Sequence, residues 1–475
     1  MQFKIKKIRE VLKNKYCNEI TKSISLLYVI KKHPQYAKNK KKIFFIFKKI
    51  LKKIFFDFFI FLKFLLFDKK NNRKKLDKVD LLIISHFINL EQINKKKEFY
   101  LANLENILKK NNKSYLKLLI NHTSHDSKTL NSNIKIQNWY ILEKFLDFKT
   151  ELMIFIKKIR SVFDLLYLLL YRKINTTLFF NLLISLFGSE TSNAIKIFYE
   201  VKRIIKLTNP RFLIITYEGF SWERMAILAA REVNKNITCI GCQHALITKN
   251  HISIFNNLQN TSNPDLIWSS HLNSKKLLDK KLKGSNIKII FTGNLKENIK
   301  KIQKKKRKNL NFLVIPEGID LDIIDLFRFT YLCAKKYPNY KFFWRLHPVI
   351  KINTLFDLIN IKKSSLPKNI MISKNSLEKD IEYTNYAIYT GSAAILNSTI
   401  NGCFPIYFHN KNRVDYNPLK SFFKKENYIK NTDDLKILVE KTKKKKKKIN
   451  NKVLQVIKKN FFSEIQEKSI LSLIR

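Results

Sequence analysis

The chain has 475 residues and carries 93 Lys and Arg against 37 Asp and Glu, a formal net charge of +56. That length overfills one ordinary core and predicts two or three domains, while 45% apolar and 13% aromatic residues exclude a wholly disordered chain despite the charge. The lysines are spread through Lys/Asn/Ile/Phe-rich text rather than interleaved with aromatics in one stripe, so they read chiefly as solvated surface, with a share left for an anionic partner and no nucleic acid expected.

In chain order, residues 1–78 read as a basic amphipathic helical extension. Residues 1–15 are basic but lack an apolar signal core, which argues against export. Residues 54–67 are apolar apart from Asp57 and Lys63, and they follow Lys40, Lys41, Lys42, Lys48, Lys49, Lys52 and Lys53. That pattern suits either an anionic bilayer surface or packing on the protein's own core. No run of about 18 uncharged apolar residues occurs, so a spanning helix is not expected.

A first α/β domain is predicted over 79–299. Strands are expected at 79–85 and 115–120 around a helix at 100–110, followed by several helices within 138–207. The rhythm resumes with a strand at 212–216, a helix at 222–233, and strands at 237–240, 266–268 and 287–291. A lysine-rich linker at 300–308 separates this from a second α/β domain at 309–440. There, strands are expected at 311–315, 341–345, 370–372, 386–389 and 405–408, with helices at 322–336, 377–383 and 393–401. Residues 441–475 are read as a helical tail whose six-lysine run, 443–448, is a solvated face. Two βα series in succession predict two Rossmann-like domains facing across a cleft, with ligands beyond the carboxyl ends of the strands.

Five cysteines, at 17, 239, 242, 333 and 403, form no disulfide framework and fit a reducing cytoplasm. Cys239-Ile-Gly-Cys242 lacks a second pair at zinc spacing and lies in an apolar strand, so it reads as buried core.

With only eight glycines in the chain, each strand-end glycine bordered by polar residues draws notice. Tyr217-Glu218-Gly219-Phe220-Ser221-Trp222-Glu223-Arg224 spans a strand end and the next helix start. Ser221 is expected to cap that helix and Glu223 to sit in its first turn, which leaves Glu218 as the leading general base, with Glu223 and Arg224 also facing the cleft. Gly241-Cys242-Gln243-His244 offers His244 as base or phosphate ligand beside Gln243. In Trp344-Arg345-Leu346-His347-Pro348, alternation places Arg345 and His347 on one side as two cationic donors for a phosphate. Tyr389-Thr390-Gly391-Ser392-Ala393-Ala394 opens a helix with small residues, so Thr390, Gly391 and Ser392 could meet an anion without the Lys of a Walker loop. Pro316-Glu317-Gly318 is a further cleft turn, and the nearby Asp320-Leu321-Asp322 reads as helix-start charge rather than a metal motif.

At these clusters, roughly over residues 210–420, the sequence resembles bacterial surface-carbohydrate glycosyltransferases of the capsule and lipopolysaccharide type, which have the two-domain GT-B fold. The His347-Pro348 turn and the Ser392 helix start are similar to the pair that holds the donor phosphate in sialyl- and Kdo-transferases, which use CMP-sugars. The resemblance implies a metal-independent transfer without a cofactor. Donor phosphate would be held by His347 and Ser392 with help from Arg345, and a first-domain carboxylate would act as base. Its implied partners are a nucleotide sugar, a glycan or lipid-linked glycan acceptor, and an anionic membrane face reached from the cytoplasm. Where such enzymes often carry a ribose-holding carboxylate, this chain has Asn397. The rival readings are a polyol-phosphate transferase, a nucleotide-sugar epimerase of similar build, and a basic nucleic-acid-binding protein.

Overall fold

A computed structural model describes residues 11, 17–24, 55, 76–133, 138–143, 146–248, 251, 253–257, 260–296, 302–304, 310–347, 350, 352–413, 415–423, 427–444 and 449–474. The amphipathic segment 54–67, apart from Phe55, lies outside the described residues, as do Pro348, most of the 300–308 linker and positions 445–448.

The first domain is a seven-stranded parallel sheet of β1 (Leu81–Phe87), β2 (Tyr115–Asn121), β3 (Trp139–Ile141), β4 (Phe212–Thr216), β5 (Thr238–Gln243), β6 (Leu266–Ser269) and β7 (Lys288–Phe291), in the order β3-β2-β1-β4-β5-β6-β7. The second is a six-stranded sheet of β8 (Leu310–Ile315), β9 (Tyr340–Arg345), β10 (Ile370–Ser373), β11 (Tyr386–Tyr389), β12 (Phe404–Phe408) and β13 (Tyr428–Ile429), in the order β10-β9-β8-β11-β12-β13. All recorded strand pairs are parallel. A parallel sheet is covered on both faces, which is why its strands read as near-continuous apolar runs. In β1, Leu82 and Ile84 pack with Phe198 and Ala226 on one face, while Leu81 and Ile83 pack with Leu104 and Leu108 on the other. Phe312 and Val314 of β8 likewise oppose Leu313 and Ile315. The short strands β3 and β13, and the helix Ile352–Ile359, were not anticipated from sequence.

The helical stretch of the first domain resolves into Phe148–Leu170, Thr176–Leu186 and Ser189–Thr208, the first two capped by Asp147 and Asn175. They form a separate apolar cluster that also takes in Val11, Cys17, Ile20 and Ile24. Within the expected N-terminal extension, residues 17–24 pack on the helix Phe148–Leu170: the backbone N–H of Asn18 and the Thr21 hydroxyl both donate to Asp164, at 3.1 and 2.7 Å.

At the other end of the chain, the helix Asn451–Phe461 packs Ile457 and Phe461 on the second sheet. The chain then returns to the first domain. The Asn294 N–H donates to the Ser463 carbonyl at 3.0 Å, and the Gln466 N–H donates to the Thr292 carbonyl at 2.7 Å. Ile470 and Ile474 then complete the core beneath β1. Gly293, at φ +71°, is required there, because a Cβ would fall 1.9 Å from the Glu464 carbonyl oxygen.

Candidate active site

Strand order reverses between β1 and β4 in the first sheet and between β8 and β11 in the second. Such switch points open a crevice at the carboxyl ends of the strands, and the singled-out clusters fall at or near them.

In the first domain, β4 runs into a turn at Gly219, whose φ is +83° and where a Cβ would lie 2.3 Å from the Ser253 carbonyl oxygen. Glu223, 1% exposed, accepts the backbone N–H groups of Glu218 at 2.9 Å, Gly219 at 2.6 Å and Phe220 at 2.8 Å. Glu223 therefore organises the turn, and the expected Ser221 cap is corrected: the helix begins at Ser221 and Phe220 is its cap position. Arg224 is fully buried and bonds the carbonyls of Gly219, Ser253 and Asn256 and the Asn263 side chain. Its expected place in the cleft is thus corrected to a clamp between the turn and the 253–263 segment. Gln243 is also buried, accepting from the Ser269 hydroxyl at 2.8 Å and donating to the Ala245 carbonyl.

Glu218 remains partly exposed at 25%, with its Oε1 3.8 Å from Nε2 of His244. Burial pushes the Glu218 carboxyl above its ordinary range, opposed by the Lys296 ammonium. His244 is held well below its ordinary range by burial, with Lys296 and His86 adding repulsion. His244 is therefore neutral at pH 7, and the Glu218 carboxyl is more basic than an exposed one.

Sequence reasoning missed the rest of this cluster. His86, at the end of β1, has Nδ1 2.9 Å from Nε2 of His122 and Nε2 3.2 Å from the Thr216 hydroxyl. Burial and His122 lower its pKa to about 3. The His86 ring stands edge-on to Tyr100 and Trp222, each 5.3 Å between centroids, and Tyr100 stands edge-on to His244 at 4.7 Å. Nζ of Lys296 lies 5.2 Å from the Tyr100 ring, and burial lowers the lysine's pKa against the pull of Glu218 and Glu98. A histidine ending an apolar strand was a readable signal at His86, whereas Lys296 had nothing to distinguish it among 93 basic residues.

In the second domain, β8 leads to Glu317 and Gly318, and β11 leads to Thr390 and Gly391. A Cβ on Gly318 would fall 2.8 Å from Cε1 of His347, so that glycine is what lets the imidazole lie against the turn. A Cβ on Gly391 would touch Tyr416 at 3.3 Å and Oε2 of Glu317 at 3.4 Å. Burial above all, opposed by a backbone hydrogen bond at Gly318 and helped by the charges of Asp322 and of Glu218 of the other domain, raises the Glu317 carboxyl to about 7. Opposite Gly391, Tyr416 meets His251 of the first domain, ring centroids 5.6 Å apart. Thr390 Oγ1 is buried without a hydrogen-bond partner, and Thr390 lines a pocket with Gly391, Asp322, Tyr407, Arg413 and Tyr416. Ser392 Oγ accepts the Ala394 N–H at 3.4 Å, ahead of the short helix Ala394–Ile400.

The pair of cationic donors expected in this domain is corrected. Nη1 of Arg345 bonds Oδ2 of the buried Asp380 at 3.1 Å and the Asn375 carbonyl at 2.8 Å, tying down the end of β9. Burial lowers the pKa of His347, which leaves a neutral imidazole at pH 7. Asp320 and Asp322 lie in the first turn of Asp320–Lys336 as expected, without a side-chain cap bond. Among the described residues no group of three or more His, Cys, Asp or Glu is arranged to hold a metal. All five cysteines are buried and unpaired, with Cys239 pushed up to about 12 by burial.

No protein-family model matches this sequence and no curated protein matches it. Solved structures do match in shape. UDP-GlcNAc 2-epimerase from Neisseria meningitidis, bound to UDP-GlcNAc, is 12% identical over 83% of this chain and 99% of its own, with a TM-score of 0.50. A glycosyltransferase from Rickettsia africae is 12% identical over 84% and 98%, at 0.44. MurG from Acinetobacter baumannii is 10% identical over 83% and 98%, at 0.41. At such identity the Neisseria likeness is one of fold: two Rossmann-like domains across a cleft, the GT-B arrangement.

Proposed function

We propose that this protein is a glycosyltransferase that moves a sugar from a nucleotide donor to a glycan or lipid-linked glycan acceptor during cell-surface polysaccharide assembly. The observation that carries the reading is the opposition of two unlike clusters at the switch points. Glu218, with a carboxyl made more basic by burial, acts electrostatically on Glu317 of the other domain, and Glu317 lies against Gly391 next to the unpartnered Thr390 hydroxyl.

In this reading the acceptor hydroxyl enters beside Glu218 and His244, and Glu218 takes its proton as the oxygen attacks the anomeric carbon. The bond from that carbon to the donor phosphate oxygen breaks. The charge left on the phosphate is met by the hydroxyls of Thr390 and Ser392, the backbone at Gly391, and an N–H of His347. Glu317, protonated in part near neutrality, donates a further hydrogen bond beside Gly318. Glu223 and Arg224 position Glu218 and touch no substrate, and Arg345 positions the β9 end that carries His347. No protein-held metal or cofactor takes part. The resemblance at His347 and Ser392 favours a cytidine nucleotide.

A thermal-shift screen of cytidine, uridine and guanosine nucleotides tests this. One nucleotide class should stabilise the wild type in proportion to its concentration, and Thr390→Val and His347→Ala should lose most of that response. The donor site is wrong if no nucleotide stabilises the protein or if both variants respond as the wild type does. Conversion of a nucleotide sugar to an isomer without any acceptor would instead mark an epimerase.

A further inference from the structure

The helix Phe148–Leu170 has two apolar faces. One buries Ile154, Leu165 and Leu168 in the helical cluster of the first domain. The other presents Ile156, Ile159, Phe163, Leu166 and Leu170, spaced three and four apart, at 57, 45, 63, 37 and 78% exposure. Tyr171, 63% exposed, extends that face and stacks at 4.4 Å on Tyr167. A soluble surface helix places mainly charged groups on its outer side, whereas between Ile156 and Leu170 the exposed residues of this one are apolar or tyrosine apart from Arg160.

Its rim is cationic. Arg160, Arg172 and Lys173 are exposed beside the stripe. The acids of the helix are turned to other partners: Glu151 to Lys196 at 3.4 Å, and Asp164 to Asn18 and Thr21. An apolar stripe edged by arginine, lysine and tyrosine, with both carboxylates of its own helix engaged elsewhere, matches the boundary of a bilayer that carries anionic headgroups. Among the described residues no helix is long and apolar enough to cross a membrane, so this one would lie in the plane of the interface.

We infer that the outer face of Phe148–Leu170 docks the protein on an anionic lipid surface. This goes beyond the transferase reading, because the face lies on a different element from the cleft. The experiment is co-sedimentation of the full chain with phosphatidylcholine vesicles, with and without about 30 mol% phosphatidylglycerol, for the wild type and for Phe163→Glu/Leu170→Glu. Both substituted side chains are exposed, so folding should survive, and an unchanged unfolding midpoint and unchanged nucleotide thermal shift check that it does. The wild type should bind the phosphatidylglycerol vesicles, and the double variant should bind at least about tenfold more weakly. Three results overturn the inference: no vesicle binding by the wild type; equal binding by the variant, which would assign the contact to segment 54–67 or to diffuse charge; or a wild-type dimer that the double substitution dissociates. A lost nucleotide response with intact vesicle binding would count against the donor site alone.

Discussion

The two strand-end clusters are built from opposite materials. The first-domain cluster is made of titratable side chains, Glu218, His244, His86 and Lys296, whose pKa values burial moves away from their ordinary ranges. The second-domain cluster is made of close approaches: Gly318 under the His347 ring, Gly391 against Tyr416 and Glu317, and a threonine hydroxyl without a partner. Desolvated titratable groups are what a proton transfer needs, because burial tunes their basicity. Missing Cβ atoms and open hydroxyls are what a phosphate needs, because it is bound by donors at short range. In the proposed reading, the first domain carries the acceptor chemistry and the second binds the donor.

Four changes would break or sharpen that division. The largest effect is expected for Glu218→Gln, which removes the base while leaving the second domain intact. Steady-state kinetics should show kcat reduced by about 10² to 10⁴-fold, with the nucleotide thermal shift unchanged. Weakened nucleotide binding would mean that the clusters share one role.

Arg224→Met should act on stability instead. It removes the guanidinium donor from the carbonyls of Gly219, Asn256 and Ser253, the last of which keeps the Asn256 N–H, and from the Asn263 side chain, a cost of about 3 kcal/mol that a urea midpoint would register. Its folded fraction should still respond to nucleotide. An undiminished urea midpoint with lost catalysis would return Arg224 to the cleft chemistry.

A third change concerns pH. Neutral Glu317 tolerates an adjacent phosphate and ionised Glu317 repels it, so nucleotide affinity should be highest below about 7 and should fall as pH rises through that value. Calorimetric titration should show a loss of about tenfold between pH 6 and pH 8, and Glu317→Gln, which stays neutral, should flatten that slope. A slope that persists in the glutamine variant would assign the titration elsewhere.

The smallest effect is expected for Lys296→Met. The ammonium favours the ionised form of Glu218, so its loss raises the carboxyl's pKa further and moves the acid limb of the kcat/KM profile to higher pH. A shift in the other direction, or none, would separate Lys296 from the base.

Apart from the short β3 and β13, the strands of both sheets were legible because a doubly covered parallel strand must be apolar on both faces, and β4 and β11 occur at the positions read from sequence. The turns at Glu218, Glu317 and Thr390 were legible because polar residues beside scarce glycines at strand ends have few purely structural uses, and His347 because it follows a strand end and precedes a proline. What misled at Arg224 and Arg345 was their charge. A guanidinium at a strand end serves equally to bind a ligand or to satisfy loop carbonyls, and only the surrounding loops, Ser253–Asn263 in one case and Asn375 with Asp380 in the other, show the second use.

The sequence by itself determined the two βα series and the strand-end turns, since hydrophobic period and glycine placement are local properties. Tertiary structure alone decided which charges remain available. His86, Tyr100 and Lys296 join Glu218 from elements far apart in the chain, and Arg345 is withdrawn by a carboxylate 35 residues away. It also decided what to make of the +56 charge. Among the described residues most basic side chains stand partly or fully exposed where no local pattern distinguishes them, but beside the exposed face of Phe148–Leu170 the exposed Arg160, Arg172 and Lys173 edge an apolar stripe. Whether a stripe is core or surface depends on what the rest of the fold has already covered.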